Sequence, residues 1–170
     1  IHLMYAFIYV TDKYEGLIMV GAGSLLDGNP ANNFVKRDVT FNPDGILNGA
    51  NAISIVGTYA YICCDAGLVV VSLSDPTKPT ITEIIGNDKL HHPHSVQVQF
   101  RYAFVCDEEG VKVLDTTDLA SPKLVAGLRL EEAHSIYLAR TYAYVAAGSK
   151  GLVILDIKNP ERPRIDQVYD

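Results

Sequence analysis

A unit of about forty residues recurs along this chain, and no other feature limits its fold as strongly. Three segments superimpose at their starts without gaps. They are Asn51-Ala-Ile-Ser-Ile-Val-Gly-Thr-Tyr59-Ala-Tyr61, His94-Ser-Val-Gln-Val-Gln-Phe-Arg-Tyr102-Ala-Phe104 and His134-Ser-Ile-Tyr-Leu-Ala-Arg-Thr-Tyr142-Ala-Tyr144. Tyr59 to Tyr102 spans 43 positions and Tyr102 to Tyr142 spans 40, while a fourth copy enters part-way at Tyr5-Ala-Phe7.

Each copy then reaches a turn glycine and an apolar strand: Gly16-Leu-Ile-Met-Val20, Gly67-Leu-Val-Val-Val71, Gly110-Val-Lys-Val-Leu114 and Gly151-Leu-Val-Ile-Leu155. In three copies a proline-bearing turn follows, at 74–79, 118–122 and 158–163, and after it a further β-rich run such as Thr80–Ile85 or Lys123–Leu128. Short alternating or apolar runs bounded by Gly, Pro, Asn and Asp predict strands, and helix signals are absent. With the strands of a unit called A to D, the last unit has A near Ser135–Ala139, B at Tyr142–Ala146, C at Leu152–Ile157 and D at Arg164–Val168. Four strands in about forty residues is the spacing of a propeller blade. The predicted fold is therefore an all-β β-propeller, with units at approximately 1–49, 50–91, 92–131 and 132–170 in a single domain.

The run Tyr-Ala-Tyr-Val-Ala-Ala-Gly-Ser-Lys-Gly-Leu-Val-Ile-Leu-Asp-Ile-Lys-Asn-Pro at 142–160 resembles the LVIVD repeat. Residues 58–79 match it well, 101–118 carry Val-Lys-Val-Leu-Asp in the signature strand, and 5–20 match in part. The resemblance implies propeller blades, in a family of bacterial and archaeal cell-surface or secreted proteins. It places the chain outside the cell, at its surface or in the periplasm. A blade motif records packing rather than chemistry, so it implies no reaction.

The first unit departs from the pattern twice. Ser24 to Asn51 spans 27 positions where Asp75 to His94 spans 19. The excess falls in Leu25–Gly49, a loop with turns at Asp27-Gly-Asn-Pro30 and Asn42-Pro-Asp-Gly45 around a strand near Phe34–Phe41. Such loops commonly carry a propeller's individual function, while the plainer reading is a decorated blade edge, since loops vary freely. Further, only Ile1–Met4 precede Tyr5, where eight residues precede Tyr59, so the first unit is predicted to lack strand A. Three complete blades and one without its inner strand imply part of a larger propeller, completed by another part of the polypeptide or by a protein partner.

Fourteen basic against twenty acidic side chains give a formal charge of −6. No basic cluster exceeds Lys36-Arg37, which argues against a nucleic-acid partner. No apolar run approaches the length that spans a bilayer. Cys63, Cys64 and Cys106 are odd in number and lack CxxC spacing, so neither a disulfide framework nor a zinc site is indicated. Cys63 and Cys106 are read as repeat-equivalent packing residues, replaced by Tyr9 and Ala146 elsewhere. Strand alternation sends Cys63 and Cys64 to opposite faces. The aromatic pairs that begin each strand B, from Tyr5 and Phe7 to Tyr142 and Tyr144, are expected to fill the space between blades.

Asn51, His94 and His134 occupy one repeat position, just before strand A, and A is the innermost strand of a blade. Together with His91 and His92 they form the candidate binding set. Imidazole is the commonest metal ligand, so His92, His94 and His134 could hold a transition metal, or the cluster could lie against a haem-bearing domain or partner. The plainer reading has these side chains hydrogen-bonded between neighbouring blades. Asp107 and Glu108 are expected at the far end of the blade from them. No CxxCH, HExxH, GxSxG, phosphate loop or DxDxDG pattern occurs. The expected function is accordingly non-catalytic binding of a protein or ligand, with a metal-binding or redox-associated propeller as the alternative.

Overall fold

The computed structural model describes the backbone of residues 2–4 and 6–170 and the side chains from residue 6 onward. Four antiparallel four-stranded sheets follow one another along the chain, each a meander. The first holds β1 (His2–Met4), β2 (Phe7–Asp12), β3 (Gly16–Gly21) and β4 (Lys36–Phe41), and the second β5 (Ala52–Val56), β6 (Tyr59–Cys64), β7 (Gly67–Ser72) and β8 (Thr80–Ile85). The third holds β9 (Ser95–Gln99), β10 (Tyr102–Asp107), β11 (Gly110–Asp115) and β12 (Lys123–Arg129), and the fourth β13 (Ser135–Ala139), β14 (Tyr142–Ala146), β15 (Leu152–Asp156) and β16 (Arg164–Tyr169). Among the described residues, helical structure is limited to four three-residue turns. No described helix is long and apolar enough to cross a membrane. The first strands of successive sheets run beside one another, β1 by β5, β5 by β9 and β9 by β13, so the sheets are ranked in chain order around their inner strands.

The core lies between sheets. Alternation gives the middle strands two apolar faces, and the facing sides of adjacent sheets meet at three seams. Tyr9, Leu17 and Met19 of the first sheet pack with Ala60, Ile62, Val69 and Val71 of the second. Tyr61, Cys63, Leu68 and Val70 of the second pack with Ala103, Val105 and Leu114 of the third. Phe104, Cys106, Val111 and Val113 of the third pack with Ala143, Val145, Val153 and Leu155 of the fourth. Each large side chain so covered contributes about 1.5–3 kcal/mol. Polar contacts fix the seams. The Tyr61 hydroxyl donates to the Leu119 carbonyl at 2.9 Å, and the Tyr102 hydroxyl to Glu161 Oε1 at 2.9 Å. On the inner strands, the amides of Ile136 and Leu138 donate to Ser95 Oγ at 3.3 Å and Gln97 Oε1 at 3.1 Å.

The first sheet corrects the sequence reading. It has an inner strand, because β1 pairs with β2 through His2–Tyr9, Leu3–Ile8 and Met4–Phe7. The expectation failed through a register slip of two. Gly16 pairs with Asp12 as Gly67 pairs with Cys64, so Phe7 and Tyr9, not Tyr5 and Phe7, match Tyr59 and Tyr61. Aligning on Tyr5 would put three extra residues into the turn before Gly16, whereas the pairing requires one. Tyr9 is fully buried, as Tyr61 is. The counterpart of Cys63 is Thr11 rather than Tyr9, since both pair with the leucine after the glycine. The predicted packing of Tyr5 lies outside the described residues. Cys63 and Cys64 do face opposite seams, and all three thiols are free and buried.

Two local devices recur. Gly67 and Gly110 begin their strands at φ of 117° and 147°, and a Cβ there would collide with the carbonyl oxygens of Ile85 and Leu128 on the next strand. Only glycine lets the outer strand approach so closely. Each outer strand also carries a bulge at the same place: pairing skips Asp38, Thr82, Val125 and Asp166 in β4, β8, β12 and β16. A bulge leaves its residue unpaired and increases local twist.

Candidate functional site

Antiparallel pairing sets which loops share an end. The segments entering each inner strand lie with the turns between second and third strands. The turns between first and second strands lie with the loops between third and fourth. The histidines occupy the first end. Asn51, His94 and His134 donate their backbone amides to the carbonyls of Cys63, Cys106 and Ala146 at 3.0, 3.0 and 2.8 Å, so one repeat position is realised three times.

The side chains diverge from there. The His94 and His134 rings lie 6.0 Å apart, tilted by 47°. His94 sits between two backbone carbonyls, with Nδ1 3.1 Å from the oxygen of His92 and Nε2 2.6 Å from that of Ala133. The second contact crosses from the third sheet to the fourth, making His94 a strut between them. His91 turns away, its Nε2 3.4 Å from Glu109 Oε1. His92 takes a left-handed backbone, φ 48°, and is exposed, as are His134 and Asn51. Among the described residues no group of three His, Cys, Asp or Glu side chains is placed to hold a metal ion. A metal at His94 would have to displace a carbonyl contact first.

The acidic turn belongs to this end, against expectation. Strand β10 finishes where β9 starts, which brings Asp107 and Glu108 to His91. The His91 amide donates to Asp107 Oδ2 at 3.1 Å, and the Glu108 amide donates to the His91 carbonyl at 2.9 Å. Asp107 is fully buried, and its Oδ1 accepts the amides of Glu109 and Gly110, each at 3.0 Å. This carboxylate pins two loops together. Its sequence signal is an Asp at the end of the second strand, where the second unit has Cys64. Beside it lies a charged groove of about 380 Å³ lined by Glu108, Glu109, Lys112, Arg129 and Glu131. It opens where Gly127 offers no side chain above Lys112.

The excess length of the first unit sits at the opposite end. The loop from 22 to 35, between β3 and β4, is fourteen residues where 73 to 79 is seven. It holds itself together by side-chain caps. Asp27 Oδ1 accepts the Asn29 amide and Oδ2 the Asn32 side chain, both at 2.8 Å, and Ser24 Oγ donates to the Phe34 carbonyl at 2.7 Å. The Asn29 amide, then Asn32, hold the Asp27 carboxyl below its ordinary value. Yet Leu25, Leu26, Phe34 and Val35 all stand in solvent, Leu26 at 68% and Phe34 at 79% exposure.

The comparisons agree with this architecture. The LVIVD repeat matches at residues 49–86, 92–128 and 132–170, the last three sheets. No curated protein sequence matches the chain. Among solved structures, it is similar to a functionally unknown protein from Desulfotomaculum acetoxidans, at 15% identity and a TM-score of 0.67, over 98% of this chain and 58% of that one. It is also similar to apo AztD from Citrobacter koseri, at 15% identity and 0.58, over 99% of this chain and 57% of that one. A third is PorZ, an essential bacterial surface component of the type-IX secretion system of Porphyromonas gingivalis, at 16% and 0.55, over 95% and 21%. The chain thus spans little more than half the length of the first two, and the likeness concerns fold. Propeller-like neighbours and a repeat matched over most of the sequence support an all-β fold of β-propeller blades, and the chain belongs to the LVIVD-repeat family.

Proposed function

We propose that this chain is a non-catalytic propeller module that binds a protein partner outside the cell or at its surface, engaging it through the 22–35 loop. The observation that carries the reading is the loop's combination of internal order and outward apolar side chains. Leu26 and Phe34 are held out by a capped loop instead of folding back onto the blade. Exposed aliphatic and aromatic groups on a preorganised loop suit a hot spot, because little ordering entropy opposes docking. Phe100, 87% exposed on the first turn of the third blade, belongs to the same end. The surface location follows from the family resemblance. A metal or haem role has no comparable support, since the histidines are spread over an internal strut, a contact with Glu109 and an exposed rim.

A photo-cross-linking residue at position 34, in the organism that makes the protein, tests this. A discrete protein adduct at 34, absent when the probe sits at 134, is expected. The Leu26→Ser and Phe34→Ser variants should lose the interaction with Tm unchanged. Equal adducts at both positions, or none at 34, would sink the reading.

A further inference from the structure

One seam position departs from the repeat. Two residues after the turn glycine, Ile18, Val69, Lys112 and Val153 hold the same place in the third strands of the four sheets. The three aliphatics are buried. Lys112 follows them inward, its side chain only 16% exposed. Its partner on the outer strand departs with it, since Gly127 stands where Ile84 and Val168 stand in the second and fourth sheets. An ammonium drawn out of water destabilises a seam unless it is compensated, and a glycine leaves its strand with nothing to pack. Glu109 compensates Lys112, as does the buried Asp107 at 3.8 Å. Two local rules are broken at one cross-strand pair, in a chain that otherwise keeps them, and such breaks are expected at functional sites. The product is the groove of about 380 Å³, a volume within the range of small-molecule sites.

The charged groups that line it are not equally engaged. Lys112 and Glu109 hold each other. Arg129 and Glu131 approach only to 3.8 Å, both side chains standing in solvent. The Glu108 carboxylate has no hydrogen bond or ion pair among the described residues. One guanidinium and two carboxylates are therefore open to a ligand. We infer that the groove binds a free basic amino acid, arginine or lysine, through three complementary charges. The α-carboxylate meets the Arg129 fork, a bidentate match, while the α-ammonium and the side-chain cation meet Glu108 and Glu131. Lys112 forms the floor, with its stem against Gly127 and its ammonium tied to Glu109. An acidic amino acid would set a second carboxylate against Glu108 or Glu131 and is excluded. The groove lies at the opposite end of the sheets from the 22–35 loop, so this site is independent of the partner proposed there.

Equilibrium dialysis against labelled L-arginine and L-lysine tests this. Saturable binding of one of them is expected, undisturbed by excess L-glutamate. Agmatine, which is arginine without its carboxylate, should bind at least about tenfold more weakly, the loss of one charge-assisted pair. Arg129→Gln, a change on the surface, should weaken arginine or lysine by a similar factor and leave agmatine unaffected. Gly127→Val should abolish binding with Tm maintained. Gly127 has no positive φ, and a Cβ there meets Lys112 Cδ at an ordinary 3.4 Å, so the valine fills the groove without disturbing the strand. Absence of binding by the native chain at millimolar amino acid overturns the proposal. So does agmatine binding as tightly as arginine, or binding that survives a folded Gly127→Val.

Discussion

The second and fourth blades carry nearly the same third strand, Gly67-Leu-Val-Val-Val71 and Gly151-Leu-Val-Ile-Leu155, paired in the same antiparallel order. Their surroundings differ. Leu68 is fully buried against the third blade, whereas Leu152 is 39% exposed. The apolar face is therefore a property of the unit and does not depend on a neighbour being present to cover it. A repeat protein is approximately a sum of unit stabilities and nearest-neighbour terms, and the second blade has two such terms where the fourth has one.

The largest expected effect is on thiol chemistry. Each cysteine reports one seam: Cys64 the first, Cys63 the second and Cys106 the third. Burial pushes the Cys106 thiol up to about 12 from its ordinary 9.0, so its thiolate fraction at pH 8 falls about a thousandfold. Burial also raises Cys63 and Cys64. The native protein should resist alkylation at all three, and under mild denaturant Cys106, beside the half-covered blade, should label first. Equal labelling rates would mean that the seams open together and would break the comparison.

Next comes stability. Leu68→Ala should cost about 2–4 kcal/mol, as for a large core side chain, and Leu152→Ala under about 1 kcal/mol, both read from urea unfolding. Similar costs would show that the fourth blade's face is covered in solution.

The smallest effect concerns acid. Asp156, in the fourth blade, is held below the ordinary 3.8 first by the Arg164 guanidinium and then by the Lys158 amide. Asp115 holds the same place in the third blade, lowered first by the Thr117 hydroxyl and then by its amide. A depressed carboxylate stabilises the fold above its unfolded pKa, and that contribution is lost as pH falls through the lower folded value. Stability should therefore decline as pH drops below about 4. Asp156→Asn and Asp115→Asn should flatten that decline alike if this anchor is independent of the blade's cover.

The repeat made the strands and most seam residues legible, because period-two apolar runs and turn glycines obey local rules. Register in the first unit was not legible, because Tyr5-Ala-Phe7 resembles the signature more closely than Phe7-Ile-Tyr9 does. Only pairing with Gly16–Gly21 shows which aromatic is buried. The histidines' shared position was readable and their divergence was not. His91 and His94 are directed by Glu109, Asp107 and the Ala133 carbonyl, partners that long-range folding supplies. Asp107 was assigned to the wrong end, an error that strand direction alone corrects. The inner strand that the first unit was predicted to lack is present as β1, because the register of that unit differs by two from the one its aromatics suggest.

The bulges at Asp38, Thr82, Val125 and Asp166 have a consequence for how the molecule meets others of its kind. An outer strand without them would be a straight template for another chain's amides and carbonyls, the first step toward a fibril. Here each rim strand is kinked at its middle, so strand-to-strand zippering around the circumference is blocked at four places. Association is then left to side chains meeting face to face, the way the described sheets already pack on one another.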